Sequence, residues 1–170
     1  ATGWGIAASG SSMSDYLRMD NTFAWQSPKI NGWQLMAQYS LDVQGTEQAR
    51  FVDNTRYLSG GATYMKGGLN VLAFVGWRMN PTIGGKGYKD GQTYGFAINK
   101  KFDGFKPYLA LQYAKNSLSV GKKPLEVFKA VEAQNSGTKG IDGIAVIAGT
   151  DIDCLGGTFK SAIQYLYGKN

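Results

Sequence analysis

The sequence predicts an all-β fold, an antiparallel meander of eight strands, and three observations carry this prediction. Apolar and polar residues alternate with a period of two, which places them on opposite faces of a strand. The segments between these stretches are alternately short and long. No stretch approaches the roughly 18 consecutive apolar residues of a transmembrane helix, since the densest run, residues 71–77, is seven long. A membrane-spanning helix is therefore excluded.

Four stretches show the alternation most clearly. Residues 32–41 place Trp33, Leu35 and Tyr39 on one face and mainly polar residues on the other. The same pattern returns in residues 93–102, 106–113 and 158–167. Weaker copies lie in residues 18–27, 56–66, 69–79 and 144–152. Together these stretches predict eight strands.

The connections predict where each end of the meander lies. Short turns with the Gly, Asn, Asp and Pro residues that hairpins need occur at residues 28–31, 66–68, 103–104 and 153–156. Long polar connections cover residues 42–54, 80–91 and 116–142. Short turns are therefore expected at one end and long loops at the other. In the last loop, a proline followed by apolar residues three apart predicts a short surface helix over residues 122–134, with a partner-binding helix as the alternative.

The composition argues against catalysis and against metal or cofactor chemistry. The 170 residues include no histidine, which removes Ser-His-Asp and Cys-His nucleophile pairs and imidazole metal ligands. The single cysteine, Cys154, cannot form an internal disulfide or a cysteine-rich zinc site. We therefore expect neither an enzyme nor a bound cofactor.

The charge is basic, with 18 Lys and Arg against 12 Asp and Glu and a net charge of +6. Such a balance suits a nucleic-acid surface, an anionic membrane surface or a pathway for anions, and charge alone does not choose among them. Residues 1–4 lack the basic and apolar segments of an export signal, so a signal is expected to have been removed or to lie upstream.

Half-apolar strands fit two kinds of barrel. A soluble barrel turns its apolar face inwards, where it could bind a small apolar ligand, whereas a membrane barrel turns that face outwards around a polar lumen. Strands of about 10 residues, tilted about 45°, suit the roughly 25 Å apolar band of an outer membrane. Aromatic residues gather towards strand ends on the apolar face, as in membrane-interface girdles, although an aromatic core is the alternative. The polar face is rich in Gly, Ala, Thr, Asn and Gln, which favours a wet lumen.

Several segments, taken in chain order, resemble one protein family. They are RMDNT at 18–22 leading to QSP at 26–28, GW at 32–33 leading to AQYS at 37–40, GGATY at 60–64 before GLNV at 68–71, TYGFAIN at 93–99 and GGTFK at 156–160. Their order and turn spacing resemble the trimeric general porins of Gram-negative outer membranes, over residues 15–167. The resemblance implies an outer-membrane channel for small hydrophilic solutes, surrounded by lipid and assembled as a homotrimer, with no nucleic-acid partner.

The resemblance also implies that this chain is a fragment of about half a barrel. Family members are sixteen-stranded closed barrels about twice this length that end in an aromatic residue, whereas this chain ends at Asn170. Residues 1–170 are then one barrel segment. Residues 1–17 would end a loop folded into the pore, and residues 18–167 would supply eight strands with short periplasmic turns and long extracellular loops. An independent eight-stranded barrel is the alternative, although its polar, small lumen side chains would fill it poorly.

Candidate site residues follow from the polar face and the resemblance. The resemblance places Asp15, Arg18 and Asp20 at the constriction, where the permanently charged guanidinium of Arg18 could sort ions. The alternative is an Arg18–Asp20 salt bridge that only braces the wall.

Four further basic residues share the polar face and are predicted to line the pore: Arg78, Lys101, Lys106 and Lys160. For each of these four, a solvated wall charge without effect on flux is the alternative. With Arg18, these four outnumber Asp20 and Asp151, which predicts a preference for small anions.

Overall fold

The computed structural model describes residues 20–43, 48–79, 82–83, 86–87, 89–117 and 141–169. Its long strands are β1 (Thr22–Gln26), β2 (Trp33–Ser40), β3 (Arg56–Lys66), β4 (Leu69–Met79), β7 (Gly91–Lys100), β8 (Phe105–Ser117), β9 (Ile141–Cys154) and β10 (Gly157–Lys169). They form one antiparallel sheet whose spatial order follows the chain. The predicted eight-stranded all-β meander is confirmed.

Smaller elements lie in the long connections. A 3₁₀ turn, Phe51–Asp53, follows β2, and two short strands, β5 (Thr82–Ile83) and β6 (Lys86–Gly87), pair as a hairpin between β4 and β7. No helix in the described part of the chain has the length and apolar character needed to cross a membrane. The helix predicted over residues 122–134 lies outside the described residues.

Short hairpin turns gather at one end of the sheet, here called the turn end, and the long connections leave from the other, the loop end. Between β3 and β4, Gly67 and Gly68 have φ angles of 56° and 76°, the left-handed pair that a tight two-residue hairpin requires. Between β9 and β10, Leu155 takes a φ of 50°, which residues with a Cβ rarely adopt. The alternation of turns and loops therefore matches the prediction.

The sheet buries its polar face more deeply than its apolar face. In β8, Leu111 is 40% exposed, whereas Gln112, which points the opposite way, is only 7% exposed. The buried hydrophobic residues of the described chain are few and small: Val43, Ala114 and Ala145. A soluble barrel needs the reverse arrangement, with apolar side chains filling its interior. The outward apolar face is that of a membrane barrel.

Aromatic side chains form two bands on this apolar outer face. The turn-end band contains Trp25, Trp33, Tyr64, Phe102, Phe105 and Phe159, and the loop-end band contains Tyr39, Trp77, Tyr94, Tyr113, Tyr165 and Tyr167. Neighbouring strands bring members of a band together, with ring centroids 5.0 Å apart for Trp33 and Tyr64 and 6.1 Å apart for Tyr94 and Tyr113. The indole N–H of Trp77 donates to Asp90 at 2.9 Å. Rings with one polar edge suit the two interfaces of a membrane.

The sheet has two edges. Strand β1 lies at one edge and β10 at the other, and they do not pair with each other within the residues that the structure describes. Side chains on both faces of β10 are almost all exposed. The described sheet is therefore an open wall.

Candidate functional site

The polar face is the candidate functional site, because period-two alternation places its side chains on the more buried side of the sheet. Register sets the level of each residue along the strands. Lys106 of β8 lies opposite Asp151 of β9, which in turn lies opposite Lys160 of β10. The backbone N–H of Lys101, just after β7, donates to the Gly68 carbonyl at 2.9 Å, and the adjacent Phe102 pairs with Phe105. Three neighbouring strands and the turn after β7 thus contribute a row of charges at the turn end.

This turn-end row consists of Lys101, Lys106, Asp151 and Lys160. It joins three of the basic residues predicted from the sequence, which come from three different segments of the chain. The Nζ of Lys106 lies 4.0 Å from an Oδ of Asp151, with the two side chains 41% and 23% exposed. An ion pair with this separation and this solvent exposure contributes about 0–1 kcal/mol to stability. The positive charge of the row therefore stays available to solutes.

The row lines a groove of about 370 Å³. Its charged lining is Lys101, Lys106, Asp151, Asp153 and Lys160, with Asn70 and Thr158 as neutral polar neighbours. The carboxylate of Asp153 accepts a hydrogen bond from the hydroxyl of Thr158 at 3.0 Å. Sequence reasoning missed Asp153 as a lining residue, although it stands two positions after Asp151 and therefore shares its face.

Arg78 lies at the loop end of the polar face, far along β4 from the row. Its side chain is fully buried, and its guanidinium donates to the Asn116 carbonyl at 2.8 Å. Asn116 also donates from its amide nitrogen to the Lys89 and Asp90 carbonyls at 2.5 and 3.1 Å, and from its backbone N–H to Asp142 at 2.7 Å. Asn116 has a φ of 52° and lies where the β8–β9 register shifts. These hydrogen bonds connect the ends of two long connections, the one between β4 and β7 and the one between β8 and β9.

The predicted constriction residues fall at or beyond the edge of the described chain. Asp15 and Arg18 lie outside the described residues, as does their geometry relative to Asp20. Asp20 is half-buried before β1 at the loop end. Its backbone N–H donates to the Val43 carbonyl at 3.3 Å, and its own carbonyl accepts from Ser40 Oγ at 2.7 Å. The role of these three residues stays a prediction.

Three aromatic side chains on the polar face lie against glycines of the next strand. A Cβ built on the glycine would overlap the ring in each pair: Tyr57 with Gly76, Phe74 with Gly95, and Tyr108 with Gly149. The Tyr108 hydroxyl also donates to the Ser161 carbonyl at 3.2 Å. The missing side chains of these glycines therefore leave the space that the aromatic side chains occupy.

Arg50 and Asp53 form a charged pair in a long connection outside this face. In the first long connection, hydrogen bonds to Asp53 and its negative charge raise the pKa of Arg50, so this guanidinium stays charged. Within the described residues, no group of three or more His, Cys, Asp or Glu side chains could hold a metal ion. The polar face offers charge, hydrogen-bond donors and an open path.

A family model described as Gram-negative porin matches residues 1–167, almost the whole chain. The chain belongs to the Gram-negative porins. This porin is therefore an outer-membrane β-barrel channel protein, of a family whose members are channels and not enzymes. A comparison with curated proteins and a comparison with solved structures each found no match. The outward apolar face and the aromatic bands are what this location requires.

Proposed function

We propose that this porin is a passive diffusion channel for small hydrophilic solutes and that it prefers anions. The observation that carries the preference is the turn-end row, in which three lysines and one aspartate lie side by side on the polar face. Charges that line an aqueous path act over a Debye length of about 8 Å at physiological salt, a distance comparable with a narrow pore. They concentrate anions in the path and repel cations.

The balance of charge in the groove supports the same sign with a smaller margin than the sequence alone predicts. Asp153 joins Asp151, so the groove has three lysines against two aspartates. Arg78 is fully buried, which weakens its field in the lumen. The preference therefore depends on the three lysines and, as the resemblance implies, on Arg18.

Reversal potentials of the full-length protein in a planar bilayer under a KCl gradient test this proposal. We expect the sign of an anion-preferring channel, and a cation-preferring sign would refute it. Arg18→Ala should reduce the preference if Arg18 lies at the constriction. An unchanged potential in this variant would remove Arg18 from the site and leave the channel function intact.

We further propose that the eight strands are one part of a larger closed wall. In a membrane, every backbone N–H and C=O must be paired, so a sheet that faces lipid has to close. The open edges of β1 and β10 support the addition of strands from outside the described residues. The resemblance assigns these strands to the remainder of a sixteen-stranded barrel, with the turn end towards the periplasm, and it also supports a homotrimer.

A further inference from the structure

The groove at the turn end has the features of a binding site as well as those of a charged wall. Its volume of about 370 Å³ suits a small solute, at the lower end of the range for ligand sites. Lys106 and Lys160 reach it from β8 and β10, and Lys101 reaches it from just after β7. Asn70 and Thr158 border it with neutral polar groups. A uniformly solvated wall would not gather these residues around one space.

We propose that this groove binds small dianions with several oxygens, of which inorganic phosphate is the simplest. This proposal rests on the proposed function, the passage of anions. It identifies the place along the path where one class of anion is retained.

The spacing of the lysines favours such an anion over chloride. Neighbouring strands lie about 4.8 Å apart, so the backbones of Lys106 and Lys160, two strands apart, are separated by roughly 10 Å. Their flexible four-carbon stems allow both ammonium groups to converge on one solute between them. An anion with several oxygens can accept from both at once, whereas chloride presents a single centre. Charge-assisted hydrogen bonds of this kind are about twice as strong as neutral ones.

The two carboxylates of the groove leave an excess of positive charge, because three lysines face them. Asp151 stands between Lys106 and Lys160 in the row, but its contact with Lys106 is 4.0 Å long and partly exposed. Asp153 lies one step further towards the turn and accepts from Thr158. In the described part of the chain, Lys101 and Lys160 have no carboxylate within ion-pair distance. An arriving dianion therefore disrupts one weak ion pair, in a groove where lysines still outnumber carboxylates.

A neutral donor also borders the groove. The Asn70 amide nitrogen donates one hydrogen to Asn99 at 2.9 Å, which leaves its second hydrogen for a solute. Phe102 and Phe105 of the outer aromatic band stack with ring centroids 6.0 Å apart and reach the groove at the turn end.

The test is a phosphate titration of chloride current through the full-length protein in a planar bilayer, at constant ionic strength and above the second pKa of phosphate. We expect the current to fall and saturate, at lower phosphate concentration when phosphate is added on the turn side. In the double variant Lys106→Gln/Lys160→Gln, the half-effect concentration should rise about tenfold, as the loss of about 1.4 kcal/mol would produce. Lys29→Gln is the matched control, because it removes one exposed charge at the same end outside the groove.

A second variant keeps the test decisive if the double variant inserts poorly. Asp151→Asn removes the carboxylate that competes for Lys106 and Lys160, so its half-effect concentration should fall below that of the unmodified protein. A phosphate effect that does not saturate, or that is the same in all variants, would overturn the site.

The proposed selectivity is judged separately, from the KCl reversal potential. An anion-preferring channel without saturating block refutes only this site. Saturating block in a cation-preferring channel refutes only the preference.

Discussion

Glycine determines how far aromatic side chains project from the polar face. Phe74 lies directly opposite Gly95 in the β4–β7 register, and its ring occupies the space where a Cβ would stand. Tyr108 and Gly149 repeat this arrangement between β8 and β9. A side chain on either glycine would force the ring away from the wall, because aromatic rings are rigid and the backbone beneath them cannot give.

Gly95→Ala is expected to lower the stability of the folded protein and to narrow the channel. Overpacking of this kind typically costs about 1–3 kcal/mol, and displacement of Phe74 towards the lumen should reduce single-channel conductance. Urea titration of the protein folded in lipid vesicles and conductance in KCl measure the two effects. Gly60→Ala is the control, since its Cβ would meet nothing closer than 3.6 Å. Equal behaviour of the two variants would contradict the role of Gly95.

Individual side chains also show how far sequence reasoning reaches. The period-two alternation of the sequence correctly predicted that Arg78, Lys106 and Lys160 share one face, because alternation is a property of the extended backbone itself. The alternation did not predict that Arg78 is buried against Asn116, since that contact depends on the register shift between β8 and β9. The burial of a side chain where a strand meets a long loop therefore cannot be predicted from the sequence of that strand alone.

At the scale of the element, each long strand is a two-sided ribbon whose faces meet different surroundings. Strands β8, β9 and β10 have 13, 14 and 13 residues, well above the five or six of an average strand. Lengths of this kind, with a tilt of about 45°, span an apolar band of roughly 25 Å. The aromatic bands stand near both ends of these ribbons, so the middle of the outer face is left to aliphatic side chains.

Ile163→Lys is expected to impair membrane folding, whereas Ala162→Lys is tolerated. The two residues are neighbours in the middle of β10, but Ile163 is on the outer face, 81% exposed, and Ala162 is on the polar face. A lysine in the lipid-facing middle of a strand costs about 2–4 kcal/mol, and a lumen lysine costs little. The yield and urea stability of protein refolded into vesicles compare the two variants. Similar losses in both, or a larger loss in Ala162→Lys, would show that the faces are assigned the wrong way round.

At the scale of the whole molecule, the sheet places its apolar side chains on the outside. Polar side chains such as Ser40 and Arg78 are fully buried, while many large aliphatic and aromatic side chains are exposed. Such a sheet gains its stability in a bilayer, where backbone pairing is obligatory and the outer face meets hydrocarbon. In water the same surface would be an extended apolar patch that favours association.

The full-length protein is expected to be a trimer in mild detergent. Family resemblance supports this assembly, and a closed barrel leaves the subunits free to associate through outer faces. Mass measurement that subtracts bound detergent gives the number of chains. The same measurement after heating in a denaturing detergent serves as the monomer reference. A single chain in mild detergent would contradict the proposed trimer.

The sequence by itself determined the eight strands, the two faces and the family of this porin, because these depend on local alternation, turn chemistry and segment order. Only the tertiary structure decided that Lys101, Lys106, Asp151 and Lys160 stand in one row at the turn end. The position of each residue along the wall depends on the register between strands. Tight turns such as Gly67-Gly68 and the irregularity between β8 and β9 together set this register. Residues about 50 positions apart in the chain thereby become neighbours, since hydrogen bonding between strands, and not distance in sequence, brings them together.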